Sequence, residues 1–210
     1  MSQKAPLPNG YENNYLLLAP RLAQADFGEK ALALGFSPAP GGVKINFLGR
    51  EYLIDKQGVE ASDGQPSPAN NRSLLIHYLF SPGRGGPGEK YLTLWQVPGY
   101  IRGRRNPGDD ILNKPLVRAF GQDYALFKKA ALTLNGRELG RDKSGREEWL
   151  FRVLPKIDML VRYLPADEEF PVDIQTLFDE LAPTYLEFEC LAFLNAVLSQ
   201  TLAELGGCRP

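Results

Sequence analysis

Glycine and proline cut this chain into short pieces. With 21 glycines and 17 prolines in 210 residues, turns recur too often for a long helical bundle. The fold must come from short helices and strands joined by tight connections. The pieces change period along the chain. Tyr11, Tyr15, Leu18 and Leu22 recur at helical spacing, on a helix that Pro20 interrupts. FGEKALALG continues as a second helical piece and stops at Gly35. From Gly41 the texture alternates. Val43, Ile45 and Phe47 share a face, and Gly49-Arg50 and Lys56-Gln57-Gly58 supply turns, which predicts two or three strands. ASDGQPSPAN reads as an exposed loop. NNRSLLIHYLF reads as a buried helix with Asn70 or Asn71 as N-cap, stopped by Pro82 and the run GRGGPGEK. YLTLWQV then reads as a strand.

The second half repeats the mixture. Two helices lie between Asp109 and Leu134, separated near Gly121. The second carries Tyr124, Phe127 and Ala131 on one side and stops at Asn135-Gly136. A hairpin turns at Asp142-Lys143-Ser144-Gly145. The next strand places Ile157, Met159, Val161 and Tyr163 on one face. After an acidic turn, Ile174, Leu177, Phe178 and Leu181 fit a helix face that Pro183 ends, and Pro171 fits a helix start. The last helix carries Leu191, Leu194, Leu198, Leu202 and Leu205. Strands joined by hairpins rather than by βαβ crossovers predict an α+β fold with a mostly antiparallel sheet and packed helices. The sequence places it in a single domain over residues 11–210, after a flexible arm over residues 1–10.

Composition excludes several functions. The formal net charge is −1 and the pI near 6.0, so no basic field is available for nucleic acid or an anionic membrane. No apolar run approaches the roughly 18–20 residues that cross a bilayer. The first thirty residues lack a basic and then apolar leader, and Cys190 and Cys208 form no CxxC. These features predict a reducing, cytoplasmic setting. Two cysteines also cannot hold a four-cysteine iron–sulfur cluster within one chain.

Four places could carry chemistry. Asp167, Glu168 and Glu169 could hold a divalent cation through oxygen, or one of them could act as a general acid beside Phe170-Pro171. Acids ahead of a helix are also stabilised by its N-terminal partial charge, so the stretch reads equally as a turn that ends a strand and begins a helix. His77 is the one histidine, so any Ser-His-Asp or zinc arrangement would have to use it. No GxSxG and no ligand spacing accompany it, and no metal site is assigned. The loop SPGRGGPGEK matches neither a P-loop nor a dinucleotide fingerprint. It reads as a surface loop or as a lid over a ligand. In IRGRRNPG, Arg102, Arg104 and Arg105 could meet an anionic ligand or an acidic partner. Tyr91 and Trp95 would share a strand face and could floor a pocket.

Three segments resemble a known family. They are the LLIHYL helix, the segment holding Phe120-Gly121, Phe127, Ala131, Leu134 and Gly136, and DEEFP followed by LFDE. The chain resembles, over residues 10 to 205, the family catalogued as domain of unknown function 3786, seen mainly in anaerobic bacteria and archaea. The resemblance implies an anaerobic context, redox or corrinoid-related, and makes the acidic turn a hallmark. It assigns no reaction and no cofactor. Some relatives carry an added cysteine-rich iron–sulfur segment, from which this chain departs.

The expectation is a non-catalytic module that binds a small ligand or a partner protein. Asp167 and Glu169 would be its polar anchors, Arg104 and Arg105 its counter-charge and Trp95 its apolar wall. A metal- or acid-assisted enzyme using Asp167 or Glu169 with His77 is the first alternative. A structural homo-oligomer is the second, with Leu191, Leu194 and Leu198 as its exposed stripe.

Overall fold

The computed structural model describes residues 10–99 and 113–207. The arm expected at residues 1–10 falls, up to residue 9, outside the described residues, as does the IRGRRNPG segment. Contacts cluster the chain into two compact units. One holds the described residues up to Asn46 together with Arg50–Ser81. The other holds Phe47–Gly49 and the described residues from Pro82 onward.

The first unit begins with α1 (Gly10–Leu18), a 3₁₀ turn at Ala19–Gln24 with Pro20 in its first turn, and α2 (Phe27–Leu34). Asp26 caps α2 by accepting from the Glu29 N–H at 3.0 Å, and Gly35 closes it in the left-handed conformation. Four strands follow as one sheet in the order β1 (Ser37–Ala39), β2 (Gly42–Phe47), β3 (Arg50–Asp55) and β4 (Val59–Ala61). Val43, Ile45 and Phe47 are buried as their alternation predicts. The β2–β3 turn sits at Leu48-Gly49, both with positive φ, one residue earlier than expected. Asp55 makes the next turn by accepting from the N–H groups of Gln57 and Gly58 at 2.8 and 3.1 Å. Helix α3 (Ala69–Leu79) is buried as expected, but its N-cap is Pro68, without a side-chain cap, rather than Asn70 or Asn71. The Tyr78 hydroxyl donates to the Leu34 carbonyl at 2.9 Å.

The second unit is built on a five-stranded antiparallel sheet of order β5-β9-β8-β7-β6. Its elements in chain order are β5 (Tyr91–Leu92), a 3₁₀ turn at Leu94–Gln96, α4 (Lys114–Phe120), α5 (Tyr124–Thr133), β6 (Arg137–Arg141), β7 (Glu147–Leu154), β8 (Ile157–Leu164), β9 (Asp173–Asp179), α6 (Ala182–Tyr185) and α7 (Phe188–Leu205). Register lines up Trp149, Val161 and Thr176, and one row on, Phe151, Met159 and Phe178. The Phe127 ring of α5 meets the rings of Phe120, Trp149 and Tyr163. The Tyr163 hydroxyl donates to the Phe120 carbonyl at 2.7 Å, fastening the sheet to the end of α4.

The α+β class and the antiparallel pairing are as the sequence predicts, with the strands divided over two sheets. Four local expectations are corrected. The segment read as a helix through Ile174, Leu177 and Phe178 is strand β9, and the acidic turn therefore leads from strand to strand. β9 lies inside the sheet between β5 and β8, and residues 176–179 are all buried. Polar Thr176 and Asp179 are buried beside Ile174, Leu177 and Phe178, so the strand lacks a clean two-residue alternation and its apolar positions fit helical spacing as well. YLTLWQV forms only two residues of strand before the 3₁₀ turn, so Tyr91 and Trp95 do not share a strand face. Pro183 sits in the first turn of α6 and starts a helix rather than ending one. Leu191, Leu194 and Leu198 of α7 are fully buried within the chain, and α7 packs on α4 and α5. They cannot be an exposed stripe awaiting a second copy.

Candidate functional site

The buried chemistry of the second unit centres on Asp179, the acid of LFDE, which is 0% exposed. It ends β9 directly opposite Tyr91 of β5. One carboxylate oxygen accepts from the N–H groups of Gly88 and Leu181 at 3.1 and 3.0 Å. The other accepts from the N–H of Asp158 at 3.0 Å. A single side chain thus holds the Gly-rich loop, the start of β8 and the turn after β9. Burial pushes its carboxyl above the usual 3.8, the three N–H donors pull it down, and nearby Asp158 adds to the rise. The net direction is upward. Asp158 is itself 4% exposed and ion-paired with Arg152, whose second guanidinium nitrogen donates at 3.2 Å.

The Gly-rich loop is strapped down by the same neighbourhood. The Tyr185 hydroxyl donates to the Gly85 carbonyl at 3.0 Å, and the Glu180 N–H donates to the Lys90 carbonyl at 2.8 Å. A Cβ at Gly83 would fall 2.4 Å from the Tyr185 ring, and one at Gly88 would fall 2.6 Å from the Glu180 side chain. Glycine is required at Gly83, where the backbone lies against a ring held by its own hydrogen bond, whereas at Gly88 the neighbour is the flexible Glu180 side chain.

Beside this strap opens a cleft of about 680 Å³. Leu92, Pro98, Pro183, Leu186 and Phe188 supply its apolar surface, and Glu180, Glu187 and Glu189 its charge. Glu187 is the N-cap residue of α7 and Glu189 lies in its first turn, where the helix N-terminus favours negative charge. None of the three carboxylates has an ion-pair or hydrogen-bond partner among the described residues. No lysine or arginine lines the cleft among those residues. A smaller, more enclosed cavity of about 10 Å³ lies among Thr93, Leu94, Trp95, Asn113, Gln175, Thr176 and Asn195.

The residues singled out from sequence fall in several places. Asp167 builds its own turn. One carboxylate oxygen accepts from the N–H groups of Glu169 and Phe170 at 2.9 and 2.7 Å, and its N–H donates to the Phe170 carbonyl at 3.0 Å. Asp167 and Glu169 are therefore neighbours, both exposed. Trp95 lines the small cavity. His77 lies half-buried in α3, in the first unit. Arg104 and Arg105 lie outside the described residues. None of the other four lines the larger cleft. Among the described residues, no group of three or more His, Cys, Asp and Glu could hold a metal ion. No described helix is long and apolar enough to cross a membrane. The sequence reading passed over Glu187, Phe188 and Glu189. Their signal is an acid–aromatic–acid triplet opening an otherwise leucine-rich helix.

Cys190 sits next to that triplet. Burial, with help from Glu187 and Glu189, pushes its thiol from 9.0 up to about 11. In a Cys208→Ser background, its iodoacetamide rate near pH 8 is expected to be about a hundredfold below that of a thiol with pKa 9.0. The rate should climb about tenfold per pH unit without levelling by pH 9.5. A plateau near pH 8 would contradict this environment.

A family model described as "Domain of unknown function (DUF3786)" matches residues 26–201, and the chain belongs to that family. No curated protein and no solved structure matches.

Proposed function

We propose that this DUF3786 member is a non-catalytic binding module of the cytoplasm whose site is the 680 Å³ cleft. Its ligand is a small organic cation with an apolar body, such as a substituted amine. The observation that carries this reading is three partnerless carboxylates around an apolar surface with no basic side chain among the described lining. A volume of this size is usual for small-molecule sites, which combine apolar walls with a few orienting polar groups. The ammonium would sit among Glu180, Glu187 and Glu189, and the body would lie against Phe188 and Leu186. The anaerobic setting that the resemblance implies is part of the proposal.

The test is a thermal-shift screen, run with and without oxygen, of aryl-alkyl amines against carboxylic acids of matched shape. Amines are expected to raise Tm and the acids to leave it unchanged. Glu187→Gln combined with Glu189→Gln is expected to weaken amine binding about tenfold, about 1.4 kcal/mol, while barely moving the Tm of the free protein, since both side chains are exposed. Equal shifts from amines and acids, or unchanged binding in the double variant, would overturn the assignment.

A further inference from the structure

Asn195 is an anomaly on α7. It is 1% exposed and lies on the face that carries Leu191, Leu194, Leu198 and Leu202, all 0% exposed. Its side-chain oxygen has no hydrogen-bond partner among the described residues. Leaving a buried amide oxygen unmatched costs about 1–3 kcal/mol, which is why such groups nearly always find a partner. Asn195 forms part of the wall of the small cavity. Across that cavity, Thr176 of β9 donates its hydroxyl to the Asn113 side-chain oxygen at 2.8 Å. Both residues are 5% exposed, and the Thr176 hydroxyl oxygen, having donated its proton, can still accept.

We propose that this cavity is a binding site for one water molecule, held between the Asn195 amide and the Thr176–Asn113 pair. Three properties select the occupant. The space of about 10 Å³ is close to the minimum that admits a single water, and it excludes anything larger. Among the described residues the lining polar groups include amides and hydroxyls but no carboxylate, so these groups offer a cation no counter-charge. Both donors and acceptors are present, and water can serve both kinds at once. The water ties α7 to β9 and to the start of α4, beside the 3₁₀ turn at Leu94–Gln96. That turn has Leu94 and Trp95 on this cavity and Gln96 on the larger cleft. The inference does not depend on what the larger cleft binds.

A control lies one helical turn away. Ser199 is 0% exposed, its hydroxyl has no partner among the described residues, and it does not line the cavity. If Asn195 holds a water, Asn195→Leu removes a satisfied group and strands its partners, and Tm is expected to fall by about 3 °C or more. Ser199→Ala removes an unmatched hydroxyl and should leave Tm unchanged or raise it. A crystal structure of the unaltered protein at about 1.5 Å resolution supplies the second arm, independent of how the variants fold. It should place an ordered water within hydrogen-bond distance (2.7–3.2 Å) of Asn195 and of Thr176 or Asn113. The proposal is overturned if the cavity holds no water. It is equally overturned if Asn195→Leu leaves Tm unchanged or raises it, as Ser199→Ala does.

Discussion

Asp179→Ala is expected to lower the unfolding free energy by about 3–5 kcal/mol, read from urea denaturation, because it strands three buried N–H groups at once. Those groups belong to Gly88, Asp158 and Leu181, so the loss falls on the Gly-rich loop, on β8 and on the turn into α6 together. Asp179→Asn should cost less but not nothing. One amide oxygen can still serve Gly88 and Leu181, while the amide nitrogen then faces the Asp158 N–H, donor against donor. The pH dependence has a definite sign. Burial raises the folded pKa of Asp179 above 3.8. The proton is therefore bound more tightly in the folded state, and this contribution to stability is fully present below the unfolded pKa. It is lost as pH rises through the raised folded value. The gap in stability between the unaltered protein and Asp179→Ala should thus narrow as pH rises above about 4. Comparing the two proteins at each pH removes groups of opposite sign, such as Asp142, whose carboxyl is held low by hydrogen bonds from Ser144 and Arg146. A gap that widens with pH would show that the three N–H donors outweigh burial at this site.

Gly83→Ala is expected to destabilise by about 3 kcal/mol or more, at the upper end of what overpacking costs. The added methyl would lie 2.4–2.6 Å from three atoms of the Tyr185 ring, and Tyr185 is 2% exposed with its hydroxyl engaged on the same loop. The ring cannot turn aside without breaking that bond. Two neighbours calibrate the result. Gly85 has φ +95° and open space around it, so alanine there meets backbone strain alone, about 1–2 kcal/mol. Gly86 has open space and no positive φ, and alanine there should be neutral or slightly stabilising. An ordering of Gly83, Gly85 and Gly86 by decreasing cost is what a strapped loop predicts. Three equal, small effects would mean that the loop is not held against Tyr185.

How far the sequence could be read depended on whether a segment's surroundings leave a mark on its periodicity. Gly35, Asn135-Gly136 and the Asp142–Gly145 turn were legible, because capping and turn geometry are set by a few adjacent residues. The alternation of β2 and the paired face of β8 were legible for the same local reason. β9 was not. It pairs with β8 just before it, but its other neighbour, β5, is distant in sequence, and nothing local to Ile174, Leu177 and Phe178 shows that the strand is buried between the two. The leucines of α7 marked a helix correctly, but nothing in their spacing could show that α4 and α5 cover them. The acidic turn is a similar case. Asp167 was read as part of a turn that ends a strand, and its carboxylate does close a turn after β8, accepting from the N–H groups of Glu169 and Phe170. The acids around the cleft drew no notice as a group, because Glu180 and the Glu187–Glu189 pair meet only through the short α6 that Pro183 begins.

The central claim is that the cleft beside Phe188 is a binding site for organic cations. The most direct measurement is an amide chemical-shift titration of the isotope-labelled protein with an aryl-alkyl amine. The account predicts saturable shifts concentrated at residues 92–99 and 180–190, which vanish in the Glu187→Gln, Glu189→Gln double variant. Shifts centred instead on residues 163–173, or none that saturate for any amine tested, would contradict it.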